Sequence, residues 1–207
     1  PPGYPIWTLL GKLFTFIPIG DVAYRVNLLS AVCGALSAGC ITLVLAKTGD
    51  FFFSEQEKEL GAHHLLPVFE RFGLTTPRLV NSFCAIAAGV LFAYTPGTWS
   101  QSTIAEVYSL NSFFMALLVV LSLMLMFNPQ RRFLFYLISF FFAVGITTHQ
   151  TIAVMGASLL WLLIATSRSV EESINLIANA AVLLAFTLLM FYSQRYFGNF
   201  GVPDLRS

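Results

Sequence analysis

Long apolar runs separated by short polar turns are the feature that most limits what this chain can fold into. A helix that crosses the hydrocarbon core of a bilayer needs about 20 consecutive, mostly apolar residues. The runs that meet or approach this length are residues 22–46, 79–94, 104–127, 133–166 and 174–191. Only 10% of all residues are charged, whereas soluble domains have about 25%. The sequence therefore predicts an all-α, polytopic transmembrane helix bundle.

The run over residues 133–166 is too long for one crossing. As a single helix it would extend about 51 Å, against a hydrocarbon core of about 30 Å. Its middle reads Thr-Thr-His-Gln-Thr at 147–151. We expect two short spans with this turn buried in protein, since exposed non-helical backbone is not tolerated in lipid. The total is then about six spanning helices. Residues 6–17 are too short to cross and predict an interfacial helix.

Lysine and arginine side chains are divided unevenly between the two faces of the predicted bundle. The face with the larger group is cytoplasmic by the positive-inside rule, and its members are Lys47, Lys58, Arg71, Arg78, Arg131, Arg132 and Arg168. Residues 47–77 then form a cytoplasmic loop. Residues 1–20, an external loop with the interfacial helix, face the non-cytoplasmic side together with 99–103 and 147–151. Residues 1–207 read as one transmembrane domain, and as a fragment, since neither Met nor a signal peptide opens it.

The stretch 99–111 holds the densest set of hydrogen-bonding side chains in the apolar part of the chain. It includes Glu106, and an ionisable group near lipid is costly and usually functional. Two interpretations remain open. Thr103 and Glu106 fit a capping box at a helix start, or Glu106 faces a polar cavity as an acid or ligand anchor. Gln101 and Asn111 are candidate hydroxyl binders, although Asn111 suits a bond to a neighbouring helix equally well.

Two basic side chains are candidates on the same predicted face. His149, with Gln150 beside it, can bind a phosphate oxygen or relay a proton, or it can be a structural donor. Arg25 is either an interfacial anchor or a phosphate clamp, because a guanidinium group forks onto phosphate oxygens. Trp99 and Tyr108 fit an aromatic belt and, less well, a surface for sugar stacking.

The sequence contains no recognisable metal, disulfide or nucleophile motif. Cys33, Cys40 and Cys84 lie in apolar runs without disulfide or ligand spacing. The adjacent His63 and His64 have no third ligand at useful spacing, which predicts a solvated loop and no metal. The net charge of +1 gives no indication of nucleic-acid binding.

Five segments of the chain form a recognisable set. They read Pro-Pro-Gly-Tyr-Pro at 1–5, Tyr-Arg-Val-Asn-Leu-Leu-Ser at 24–30, Trp-Ser-Gln at 99–101, Ile-Ala-Glu-Val-Tyr-Ser-Leu-Asn at 104–111 and Thr-His-Gln-Thr at 148–151. Together they resemble a family of polytopic membrane proteins long catalogued as a domain of unknown function. That family is widespread in bacteria, includes an animal endoplasmic-reticulum protein O-mannosyltransferase and is similar to the GT-C class of glycosyltransferases.

The resemblance implies a GT-C-like fold and transfer of a sugar, such as mannose, from a polyprenyl- or dolichyl-phosphate donor to an acceptor hydroxyl on the non-cytoplasmic face. With the residue chemistry above, it implies substrate contacts by Tyr4, Arg25, Gln101, Glu106, Tyr108, Asn111, His149 and Gln150. The family's acidic motif precedes the Pro-Pro-Gly-Tyr-Pro segment. The catalytic acid is therefore expected before Pro1. The charged loop over 47–77 is longer than the family pattern.

The expected partners are membrane lipid, the polyprenyl-phosphate sugar and an acceptor protein or glycan. The lipid-phosphate-linked sugar donor is the expected cofactor-like molecule, and the sequence neither requires nor excludes a divalent metal. The expected location is the bacterial cytoplasmic membrane, or the endoplasmic-reticulum membrane in a eukaryote. Two other classes remain open: a flippase or transporter of lipid-linked substrates, and a non-catalytic membrane scaffold. A transporter is typically built from repeats with paired broken helices, and the sequence contains no convincing repeat.

Overall fold

The computed structural model describes residues 4–60 and 76–166, together with scattered helical positions between 174 and 189. Every regular element in this part of the chain is helical, which confirms the all-α part of the predicted fold class. In chain order the elements are α1 (Pro5–Phe14), α2 (Val22–Leu60), α3 (Thr76–Ala93), α4 (Pro96–Thr103), α5 (Val107–Phe127), α6 (Phe133–Thr148), a 3₁₀ helix (Gln150–Met155) and α7 (Gly156–Thr166).

Helix α2 is the central element, since it packs against α1, α3, α4 and α5. Its buried face combines apolar and small residues at helical spacing, namely Leu29, Ser30, Cys33, Gly34 and Ser37. Gly34 lies so close to Ser102 of α4 that a methyl group on it would collide with the serine hydroxyl, and Gly89 of α3 meets Thr42 in the same way. Small residues at these positions of α2 and α3 therefore admit close helix contacts.

The end of α2 differs from the prediction. The sequence predicts that the helix ends near residue 46 and that a loop follows, but α2 continues to Leu60. The predicted end is wrong because lysine and glutamate favour helix. The run of apolar side chains stops near residue 46, but the helix continues through the polar residues that follow. Asn81 of α3 packs against this extension and donates to the Ala46 carbonyl at 2.8 Å and to Asp50 Oδ1 at 2.9 Å. Residues 61–75, with His63 and His64, lie outside the described residues.

Two described helices are long and apolar enough to cross a membrane, namely Val22–Ser54 within α2 and the whole of α5. Helices α3 and α4 together are a third candidate, bent by 60° where they meet. A membrane bundle is therefore supported, but the count of about six spans is not confirmed. The predicted span over 174–191 lies largely outside the described residues.

The break predicted inside residues 133–166 is confirmed. Helix α6 ends at Thr148, and His149 is extended, with φ −160° and ψ 140°. The chain then continues through the 3₁₀ helix into α7, which packs against α5. Splitting this run into two short helices follows from its length and from the polar residues at its centre.

Helix directions follow from contacts at the two ends of α5. Phe51 of α2 lies against Phe127, with ring centroids 5.5 Å apart, while Leu29 of α2 shares the core with Leu110. Helices α2 and α5 are therefore parallel. Helix α6 packs against α5 and ends beside its start. The starts of α2 and α5 and the end of α6 thus lie together, and we call this end, which carries Arg25, Glu106 and His149, the polar end.

Helix α1 covers the core near the polar end. It packs against α2 and α6, and its inner side chains, which contact the buried cluster, are Ile6, Trp7, Leu10 and Phe14. Leu9 and Leu13 remain exposed on the other side. A short helix is thus present where the interfacial helix was predicted over residues 6–17, and its position at the membrane interface stays a prediction.

Candidate functional site

The link between α4 and α5 does not form the capping box, which was one of the two interpretations of Glu106. Glu106 is itself the N-cap residue of α5, in extended backbone, and its side chain makes no capping bond. Thr103 ends α4, and its hydroxyl donates to the carbonyl of Ser100. The prediction is wrong because Pro96, at the first position of α4, starts a separate short helix. The carboxylate of Glu106 is exposed and makes no hydrogen bond or ion pair to the described residues.

Asn111, Thr151 and His149 form a connected hydrogen-bond network at the polar end. Asn111 Nδ2 donates to Thr151 Oγ1 at 3.1 Å, and this hydroxyl oxygen lies 3.3 Å from Asn111 Oδ1 and 3.0 Å from His149 Nδ1. The Thr151 amide donates to His149 Nδ1 at 3.3 Å. Because Nδ1 accepts from the amide, the ring N–H of the neutral tautomer is on Nε2. Asn111, which is buried, thus bonds to a neighbouring helix, which is one of its two predicted roles.

The ring of Tyr108 packs against His149, with centroids 5.4 Å apart and the planes at 49°. Tyr108 and Gln150 are both exposed. Within the described part of the chain no hydrogen bond is made to His149 Nε2 or to the Tyr108 hydroxyl. Glu106 precedes Tyr108 by two residues, which in extended backbone places its Cα within about 7 Å. A carboxylate, a phenol and an imidazole N–H are therefore available together at this end.

Arg25 lies at the polar end, but its guanidinium group is engaged by main-chain carbonyls of the α1–α2 turn. Nη1 donates to Thr15 at 2.8 Å, Nη2 to Gly20 at 2.9 Å and Nε to Ile19 at 3.0 Å. Thr15 is the C-cap residue of α1, where the helix dipole favours a cation. Of the five guanidinium N–H groups, these bonds use three and leave two. No described contact joins Arg25 to Glu106 or to His149.

The remaining aromatic candidates are Tyr4, just before α1, and Trp99, within α4. Tyr4 is the N-cap residue of α1, and its carbonyl accepts from the amide and the hydroxyl of Thr8, both at 3.0 Å. Its side chain is exposed. Trp99 stacks on Tyr94, with centroids 5.4 Å apart and the planes at 14°. Both rings of this pair are more than half exposed, which suits an aromatic belt.

A cleft of about 350 Å³ lies between α2, the α3–α4 bend and α5. Gln101 lines it, and the Ser109 hydroxyl donates to the Gln101 carbonyl at 2.7 Å, which ties α5 to α4. Sequence reasoning selected Gln101 but missed the surrounding hydroxyl side chains, which are Ser37, Thr95, Thr98, Ser102, Ser109 and Ser112. A signal was present, since several of them recur at the helical spacing of three or four residues.

Comparison with known proteins gives a family match over most of the chain. The family described as Protein O-mannosyl-transferase TMEM260 N-terminal domain matches residues 1–173. Protein O-mannosyl-transferase TMEM260 of Mus musculus is 37% identical over 125 residues, which cover 59% of this chain and 13% of that protein. Protein O-mannosyl-transferase tmem260 of Dictyostelium discoideum is 22% identical over 205 residues, which cover 91% of this chain and 21% of that protein.

This chain therefore corresponds to a small part of the length of both relatives. No solved structure matches it. The apolar helices and the family match agree in indicating a membrane protein. Because the match extends over residues 1–173, well over half of the sequence, the chain belongs to the Protein O-mannosyl-transferase TMEM260 N-terminal domain family.

Proposed function

We propose that the full-length protein is a membrane glycosyltransferase. It moves mannose from a polyprenyl- or dolichyl-phosphate donor to an acceptor hydroxyl of a protein or glycan, on the non-cytoplasmic face. The observation that carries the proposal is membership of a family whose named relatives are protein O-mannosyl-transferases. The membrane is the bacterial cytoplasmic membrane, or the endoplasmic-reticulum membrane in a eukaryote.

The donor phosphate is assigned to His149 and Arg25. His149 Nε2 makes no hydrogen bond to the described residues, and its N–H suits a phosphate oxygen. Two N–H groups of Arg25 are not used by the bonds that hold the α1–α2 turn. They are free to donate to a phosphate oxygen, and the guanidinium group as a whole keeps its positive charge. Asn111 acts through Thr151, whose hydroxyl and amide hold His149 Nδ1. Asn111 is thus a positioning residue.

The sugar is assigned to the acceptor groups near the start of α5. The Glu106 carboxylate is exposed and makes no described hydrogen bond, so it can accept from sugar hydroxyls. Gln101 shapes the same region from α4. Tyr108, beside His149, Gln150 and Tyr4 are exposed side chains that complete the substrate contacts. The general base that activates the acceptor hydroxyl is not assigned to a residue of this chain.

The proposal is tested by transfer of labelled mannose in the full-length protein. We expect Glu106→Gln and His149→Ala to lower kcat/KM by about 10-fold to 100-fold, since each removes a substrate hydrogen bond to a charged or buried group. His149→Ala should act mainly through KM for the lipid donor. Arg131→Ala, at the opposite end of the bundle, is the control and should retain activity.

Two results would contradict the proposal in different ways. If both site variants are made normally and keep full activity, the assignment of these residues is wrong. If the wild-type protein moves the lipid-linked sugar across vesicles without transferring it, the protein is a flippase and not a transferase.

A further inference from the structure

The cleft between α2, the α3–α4 bend and α5 has an uncharged lining. Its volume of about 350 Å³ is at the small end of the range of about 300–1,000 Å³ that ligand pockets occupy. This size suits one small polar group or ring. A phosphate group is disfavoured, because no cationic side chain among the described residues lines the cleft and burying an unpaired anion is costly.

The hydroxyl groups in this cleft act mainly as hydrogen-bond acceptors. A serine hydroxyl has one hydrogen to donate and lone pairs to accept. Three serines have used that hydrogen on main-chain carbonyls: Ser37 donates to Cys33 at 2.8 Å, Ser102 to Thr98 at 2.7 Å and Ser109 to Gln101 at 2.7 Å. What these side chains offer to a ligand is therefore oxygen lone pairs.

Gln101 adds a further acceptor to the cleft. Its Oε1 atom is buried and receives no hydrogen bond from any described residue. A buried carbonyl oxygen without a donor is unfavourable, and such atoms usually have an explanation in the structure. Because this atom has almost no accessible surface, the Gln101 side chain must turn toward the cleft before a ligand there can donate a hydrogen bond to it.

We infer that this cleft binds a neutral ligand through its hydroxyl groups. The choice of ligand rests on the proposed function, and two sources share the chemistry: the sugar ring of the lipid-linked donor, or the hydroxyl side chain of the acceptor polypeptide. In either case the cleft recognises hydroxyl donors, whereas the phosphate is bound at His149.

The two sites lie close enough to serve one reaction. Tyr108 and Asn111 lie on the His149 side of α5, and Ser109 and Ser112 line the cleft. Consecutive residues of a helix are about 100° apart around its axis. The phosphate site and the hydroxyl cleft therefore occupy adjacent faces of the same first turns of α5.

Protection of an introduced cysteine tests the inference directly. Ser112→Cys is made in the full-length protein in a Cys84→Ser background, and its rate of modification by a small neutral maleimide is measured. The added probes are mannosyl-phosphoryl-polyprenol, polyprenyl phosphate without sugar, and a serine-containing acceptor peptide. At a probe concentration about ten times its Kd, the rate should fall about 10-fold, since only unoccupied protein reacts. Ser100→Cys, on α4 but outside the cleft lining, is the matched control.

Each outcome decides between sources or overturns the inference. Protection by the mannosyl lipid but not by the sugar-free lipid identifies the sugar of the donor. Protection by the peptide identifies the acceptor hydroxyl. Protection by the sugar-free lipid, or by none of the probes, overturns the inference. Equal protection of Ser100→Cys would also overturn it, because the effect would not come from the cleft.

A second variant tests the role of the unpartnered amide. Gln101→Leu should abolish the protection at Ser112→Cys, whereas Gln130→Leu, in the turn before α6, should not. Mannose transfer is measured in parallel so that the two proposals are separated. Transfer without protection would leave the proposed function standing and remove the cleft inference. Protection without transfer would support the cleft inference and contradict the proposed function.

Discussion

Replacement of Arg25 by alanine should release helix α1 from the bundle. The guanidinium group donates to the carbonyls of Thr15, Ile19 and Gly20. A hydrogen bond to a charged group contributes about 1.5–3 kcal/mol when it is shielded from water. The bond to Thr15 is partly buried and the other two are exposed. We therefore assign the full free-energy contribution to the bond to Thr15 and a fraction of it to each of the other two. The expected loss is about 2–4 kcal/mol.

Hydrogen exchange measured by mass spectrometry on the full-length protein is the assay. Amide exchange in peptides that cover Pro5–Phe14 reports the opening of α1. Because about 1.4 kcal/mol corresponds to a tenfold change in an equilibrium constant, exchange there should become about 30-fold to 700-fold faster, up to the unprotected rate. Arg25→Lys should have an intermediate effect, since lysine keeps the positive charge but lacks the planar, forked set of N–H donors of the guanidinium group.

The control is Arg131→Ala, which removes an exposed arginine at the opposite end of the bundle. It should leave exchange in α1 unchanged. A folded Arg25→Ala protein whose α1 exchanges at the wild-type rate would contradict this structural role of Arg25. Arg25 would then be free to act only on the donor phosphate, as the clamp interpretation supposes.

Three further substitutions give expected losses of stability, each measured as thermal unfolding of the purified protein in detergent. Thr151→Val removes the hydroxyl partner of the buried Asn111 amide, leaves it only the Met115 sulfur at 3.7 Å, and should cost about 1–3 kcal/mol. Thr151→Ser should be close to wild type, and an equal loss in both variants would contradict the network. Gly20→Ala should cost about 1–3 kcal/mol, because Gly20 has φ 61° and a methyl group there would lie 2.8 Å from the Tyr24 ring. An unchanged Tm would show that the turn adapts. Gly89→Val should cost about 3 kcal/mol by forcing α3 away from α2, and full stability would show that this contact is loose.

Sequence patterns predicted those parts of the fold that depend on length and polarity. The break at His149 follows from a run too long for one crossing with polar residues at its centre. The end of α2 and the separate helix α4 were not predictable in this way. The residues after 46 are polar yet favour helix, and α4 has eight residues of mixed polarity. Only Pro96 indicated its start.

The candidate site was predictable as a set of residues but not as a set of contacts. Placing Arg25, Glu106 and His149 at one end needed only the alternation of helix directions. The bonds from Arg25 to carbonyls of the α1–α2 turn depend on backbone geometry that residue types do not reveal. The link from Asn111 to Thr151 joins residues forty positions apart, which a single sequence does not pair.

The sidedness of the polar end in sealed membrane vesicles is the most direct test of a shared site on the non-cytoplasmic face. Glu106→Cys, Gln150→Cys and Gln130→Cys are each made in a Cys84→Ser background and treated with a membrane-impermeant thiol reagent from one side. We predict that positions 106 and 150 react together from the non-cytoplasmic side and that position 130 reacts only from the cytoplasmic side. Reaction of positions 106 and 150 from opposite sides, or of all three from the same side, would contradict a shared external site.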